Sequence, residues 1–264
     1  MFIDTHTHLS LITQNYSKIQ NIIDKCNKND IRILFNISVD YNSNFINKEI
    51  SEKFDNIYFT VSIHPSEADR VEINKLKDIE KIINHSKCIG IGETGLDFYR
   101  NYSSVENQIK LFKYQIKLAK DFNKPLIIHS RNSFYEVIKI LEVEMSEPIK
   151  AVFHCFSYSI KEAKILSEFG FKISFAGNIT YKNSKLIQEA AKELDIKNIF
   201  LETDSPYLAP ASKRGEINYP YNLIDIINFL SNLKELPIKI IEKEIEKNII
   251  EYFKINVYTN RNNN

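Results

Sequence analysis

The chain has 264 residues, room for one large domain, and Lys+Arg 35 against Asp+Glu 34 leaves a formal charge of only +1. That balance excludes a global field drawing the protein onto nucleic acid or an anionic membrane, so any phosphate must be captured locally. With 43% hydrophobic and 26% charged residues, wholesale disorder is excluded as well.

At the N-terminus, Asp4 and two histidines stand where a signal peptide would need a basic and then an apolar region. No apolar run is long enough to cross a bilayer, so a cytoplasmic, membrane-free protein is expected. Cys26, Cys88 and Cys155 are odd in number and lack zinc-finger spacing, which reads as reduced thiols in the core. Short β-branched runs then alternate with stretches of helical period, strand before helix throughout, as a parallel sheet requires. Strands are predicted near 2–5, 31–39, 57–63, 87–92, 125–128, 151–153, 171–175 and 198–202. Between them lie amphipathic helices such as 106–122, where Ile109, Phe112, Ile116 and Ala119 share one face. Two further helical segments, 221–233 and 238–253, follow the last strand. No linker or repeat divides the chain, so one domain is expected over 1–258, with a polar tail at 259–264.

Alternating strands and helices fit either a TIM-type (β/α)8 barrel or an open doubly wound sheet, and periodicity does not separate them. The placement of polar residues does. His6 and His8 lie one residue apart in an extended segment and so share a face. His64, Glu93, His129, His154 and Asp204 each follow an apolar run, while His85 lies elsewhere, on a predicted surface helix. In a barrel all C-terminal strand ends meet at one rim, which turns these scattered residues into neighbours. An α/β barrel of TIM type with an additional C-terminal helix is therefore expected.

Four imidazoles and two carboxylates exceed what one catalytic cation needs, and two cations use them naturally. We assign His6, His8, Glu93 and Asp204 to one ion and Glu93, His129 and His154 to the other. Glu93 would bridge, and Asp204 would orient the attacking water or take its proton. Histidine-rich ligation favours zinc or manganese over magnesium. His64 reads as a turn residue or one supporting the ligands from behind them, Asp4 as a group orienting a ligand histidine, and Arg131 and Arg214 as anion clamps or exposed salt bridges. The stretch Gly90-Ile91-Gly92-Glu93-Thr94-Gly95 fits a dinucleotide fingerprint but lacks the helix that must start at once, since 96–102 reads as loop, and Glu93 would repel pyrophosphate. Nothing matches a P-loop or a nucleophile elbow.

The blocks FIDTHTH at 1's successor positions 2–8, SIHP at 62–65, IGETGLDFY at 91–99, PLIIHSR at 125–131, HCFS at 154–157 and LETDSPYLAP at 201–210 together resemble the TatD-related deoxyribonuclease family over nearly the whole chain. The resemblance implies a TIM-barrel hydrolase of the amidohydrolase superfamily acting on DNA, with two divalent cations (zinc, manganese or magnesium) on His6, His8, Glu93, His129, His154 and Asp204. It also places His64 near the phosphate. Two positions depart from the family's pattern: Tyr158 stands for glycine after HCFS, and Tyr219 for glutamate in the loop after the last strand. A tyrosine there would stack on a base or pack against the last helix. The leading expectation is a monomeric 3′-5′ exonuclease on single-stranded DNA ends, because a narrow mouth suits a chain end. Hydrolysis of a small amide, ester or aminoacyl bond, and a non-catalytic metal-stabilised scaffold binding nucleic acid, are the alternatives.

Overall fold

A computed structural model describes residues 1–100, 102–145 and 147–255. Eight parallel strands appear in sequence order: β1 Phe2–Thr7, β2 Ile31–Asn36, β3 Ile57–Val61, β4 Cys88–Asp97, β5 Leu126–Arg131, β6 Ala151–Phe153, β7 Lys172–Phe175 and β8 Ile199–Leu201. Among the described residues ten α-helices intervene or follow: α1 Leu9–Ile12, α2 Tyr16–Lys28, α3 Tyr41–Lys53, α4 Ile73–Glu80, α5 Val105–Asp121, α6 Phe134–Glu144, α7 Ile160–Glu168, α8 Lys185–Glu193, α9 Leu223–Lys234 and α10 Ile238–Phe253. The sheet is a nearly closed barrel of TIM type. Where its edges meet, Thr7 bridges Ser205, His8 N–H donates to Ser205 O at 2.7 Å and Asp204 N–H to His6 O at 2.9 Å. Among the described residues no helix is long and apolar enough to cross a membrane. The expected tail at 259–264, and the last residues of the expected domain, lie outside the described residues.

Strand order and the two helices after β8 agree with the sequence reading, but several boundaries move. β1, β4 and β5 run further than their apolar cores, so His6, Glu93 and His129 lie within strands rather than beyond them. β4 continues through Leu96 and Asp97, expected to be loop, because β5 offers it a partner in register: Gly95 opposite His129 and Asp97 opposite Arg131. The glycines of this stretch serve that pairing. A Cβ on Gly92 would strike the Ile127 side chain, and one on Gly95, where φ is +126°, would strike the His129 carbonyl. β2 and β3 stop earlier than expected, at Asn36 and Val61. His85 lies in a bend after α4 instead of on a helix, half-buried against Phe59 with ring centroids 5.5 Å apart.

Some of the helices begin at polar caps. Asn15 accepts from Lys18 N–H at α2 and Ser104 from Asn107 N–H at α5, while Ser159 and Glu162 form a capping box at α7. In α5, Phe112, Ile116 and Ala119 are buried against the barrel and Ile109 is partly buried beside them. α10 buries Ile241, Ile245, Ile249 and Phe253 along one stripe. The Phe253 ring meets Phe35 of β2 and Phe200 of β8 at 4.9 and 5.9 Å. Cys26 and Cys88 are buried free thiols, as expected, whereas Cys155 is only half-buried.

Candidate metal centre

The mouth takes its shape from the strand ends. His6 and His8 project from the end of β1, their Nε2 atoms 3.2 Å apart. After β8 the backbone of Asp204 turns into the left-handed region at φ +55°, a conformation aspartate tolerates, and its carboxylate faces both rings. Asp204 Oδ1 lies 3.8 Å from His6 Nε2 and 3.4 Å from His8 Nε2. Glu93 enters from β4 with Oε2 at 3.5 and 3.6 Å from the same two nitrogens. Its other oxygen, Oε1, faces a second set: His129 Nδ1 at 2.7 Å, His154 Nε2 at 2.8 Å and His64 Nε2 at 3.4 Å.

All six residues expected as ligands therefore meet: Glu93 turns one oxygen to His6 and His8 and the other to His129 and His154, Asp204 lies beside His6 and His8, and the His6 and His154 rings stack with centroids 4.0 Å apart. His64 joins the second group more closely than a turn residue would; its ring lies edge-on to His129 with centroids 4.7 Å apart, and its Nδ1 sits 2.8 Å from Ser66 Oγ. Asp4 differs from expectation. Fully buried, it accepts from Thr203 N–H at 2.9 Å, Thr203 hydroxyl at 2.6 Å and His6 backbone N–H at 3.3 Å, so it ties β1 to the segment after β8 and touches no imidazole ring. Burial pushes its carboxyl up to about 8.

Two acids in the site escaped the sequence reading. Asp97 Oδ2 lies 3.2 Å from His129 Nε2. Glu202 Oε1 accepts Cys155 N–H at 2.5 Å and lies 3.5 Å from His154 Nδ1. Strand alternation did not reach either: β4 was expected to end at Gly92, and Asp204, at φ +55° beyond the end of β8, is not extended.

Burial drives every charge here towards neutrality, and mutual attraction opposes it. Glu93 is pushed up by burial, yet His154, His64 and His129 outweigh this and hold its carboxyl well below the usual range. Burial likewise opposes protonation of His154, His8 and His129, but Glu93 with Glu202, Asp204 and Asp97 respectively lifts all three. His6 and His64 go down, burial being the largest cause. Anionic oxygens clustered among imidazole nitrogens form a set that calls for positive charge. The neutral-nitrogen and carboxylate mixture, buried and convergent, fits a borderline divalent cation. Among the described residues three donor groups are compact enough to hold one: His6, His8 and Glu93; His64, Glu93 and His129; and His6, His154 and Glu202.

At the rim, Arg131 lies 4.1 Å above the Tyr99 ring and Arg214 lies 4.4 Å above Tyr181. Neither is ion-paired among the described residues. Tyr158 donates to the Ser130 carbonyl at 3.0 Å and packs on Phe134 and Phe156. Tyr219 stacks on Tyr221 with centroids 5.1 Å apart and lines a groove beside α2 with Ile22 and Lys25. Both departures thus pack within the protein.

A barrel whose mouth gathers imidazole and carboxylate donors suits a metal-dependent hydrolase, and comparison with known proteins narrows the class. Residues 3–254 match the family described as TatD related DNase. A protein of Buchnera aphidicola subsp. Baizongia pistaciae, named an uncharacterized metal-dependent hydrolase, is 36% identical, with 97% of each chain covered. YabD of Bacillus subtilis, under the same description, is 31% identical across 97% of this chain and 100% of its own. The crystal structure of YJJV, a TatD homolog from Escherichia coli, superposes with a TM-score of 0.90 at 23% identity, covering 97% of this chain and 98% of that one. The chain belongs to the TatD-related DNase family, a family of metal-dependent hydrolases.

Proposed function

We propose that this protein hydrolyses DNA phosphodiesters with two divalent cations, acting as an exonuclease on single-stranded ends. The division of Glu93 carries this reading: one oxygen faces His6 and His8 at 3.5 and 3.6 Å, the other faces His129 and His154 at 2.7 and 2.8 Å. A carboxylate so placed suits two cations side by side, with Asp204 completing the first set and His64 entering the second. The chemistry such cations would supply there is acidification of a water molecule and polarisation of the scissile group.

The chain's own groups supply the rest. Asp204, held by its backbone N–H on His6 O at 2.9 Å, is placed to orient the attacking water and accept its proton. Arg131 and Arg214, free of carboxylate partners among the described residues, offer guanidinium forks to phosphate. The imidazole-rich donor set favours zinc or manganese.

The test strips the protein with chelator, reloads it with zinc, manganese or magnesium, and offers end-labelled linear and circular single strands. Linear strands should shorten from the 3′ end, circles should persist, and His6→Ala should abolish activity. Circles cut as fast as linear strands would remove the exonuclease mode. Inert DNA alongside cleavage of an amide, ester or aminoacyl substrate would move the reading to the other hydrolase class.

A further inference from the structure

An imidazole can offer a lone pair inward only if its one remaining proton is kept on the outward nitrogen, so the outer partner matters as much as the inner one. His8 shows the arrangement with a backbone group: Nε2 faces the cluster and Nδ1 lies 3.0 Å from the Ile37 carbonyl. His129 repeats it with a side chain. Its Nδ1 is 2.7 Å from Glu93 Oε1, and its Nε2 is 3.2 Å from Asp97 Oδ2.

Asp97 is itself fixed. It is 5% exposed, and its Oδ1 accepts the backbone N–H groups of Tyr99 at 2.9 Å and Arg100 at 3.0 Å. Its own backbone N–H donates to Gln108 Oε1 at 2.9 Å, and its carbonyl accepts from Gln108 Nε2 at 3.2 Å. These bonds occupy Oδ1 and the backbone and leave Oδ2 directed at the ring. A rigid carboxylate aimed at the outer nitrogen is more than chain packing requires.

We propose that Asp97 is a positioning residue for the second donor group, keeping the His129 proton on Nε2 and presenting Nδ1 bare beside Glu93. The inference rests on the reading that this group holds a cation, and not on the identity of the substrate.

Two measurements on the full chain test it. In the zinc-loaded protein with 15N-labelled histidine, long-range proton–nitrogen spectra should show His129 with its proton on Nε2; a proton on Nδ1 overturns the proposal. In calorimetric titrations, Asp97→Asn should bind zinc about 10–100-fold more weakly at one of its sites, with the melting temperature of the zinc-free protein unchanged. Asp97→Glu should recover part of the affinity. Wild-type zinc affinity in Asp97→Asn overturns the proposal, as does a loss matched by a fallen melting temperature. Should Asp97→Asn not fold, the wild-type tautomer decides. Neither readout uses a nucleic acid, so inert DNA would sink the nuclease reading and leave this one standing.

Discussion

A single residue type behaves differently here according to what surrounds it, and the cysteines show this plainly. Cys88 lies at the start of β4 with its thiol buried, and burial pushes it up to about 11; Cys26, on the inner face of α2, goes higher still, burial again being the largest cause. Since the thiolate is the reactive form, neither should react with iodoacetamide at mildly alkaline pH while the protein is folded. Both should be modified once it is unfolded in urea, as mass spectrometry of the labelled peptides would report; rapid native labelling of Cys88 would contradict the burial described. Similar logic separates the acids. Asp4, Glu93, Asp97, Glu202 and Asp204 are all buried, yet only those beside imidazoles join the mouth. Sequence pattern found Glu93 and Asp204 because each follows an apolar run. It passed over Asp97 because β4 was expected to end at Gly92, and a residue assigned to a loop has no face.

Elements are held in place by bonds that cross between them, and the strap from β3 to α5 is the clearest case. After His64 the chain runs to Asp69, whose carboxylate accepts from Ser104 N–H at 3.0 Å, Ser104 hydroxyl at 2.9 Å and Asn107 Nδ2 at 2.9 Å. The Asn107 amide first, then the two Ser104 donors, hold that carboxyl below its ordinary value of 3.8. A depressed carboxyl stabilises the fold above its unfolded pKa, and that contribution is lost as pH falls through the folded value. Asp69→Ala should therefore lower the urea midpoint at neutral pH, by a modest amount because the group is exposed and screened. The gap from the unsubstituted protein should close as pH falls through 3.8 and beyond. A gap of constant size across that range would show that the strap owes nothing to charge. The same exposed strap carries no apolar run, so nothing in the amino-acid pattern announced it.

At the scale of the whole molecule, stability and chemistry occupy opposite ends of the barrel. The mouth holds the imidazoles at the C-terminal strand ends, while Phe35, Phe200 and Phe253 join the sheet to α10 at the far end. Phe35→Ala, at a fully buried position, should cost about 3–5 kcal/mol in urea unfolding and leave zinc affinity of the folded protein unchanged. A parallel loss of zinc affinity would mean that the two ends are coupled. The sequence by itself determined the alternation of eight strands with helices, the two added helices and the six residues that meet at the mouth, because burial periodicity and the placement of polar groups after apolar runs are local properties. Tertiary structure alone decided how far β4 extends, which oxygen of Glu93 faces which imidazoles, that His64 turns into the second group, and that Asp4 serves the seam rather than a ring. Those outcomes depend on which neighbour a strand finds and on the direction in which a side chain leaves it, and neither is carried by any short stretch of residues.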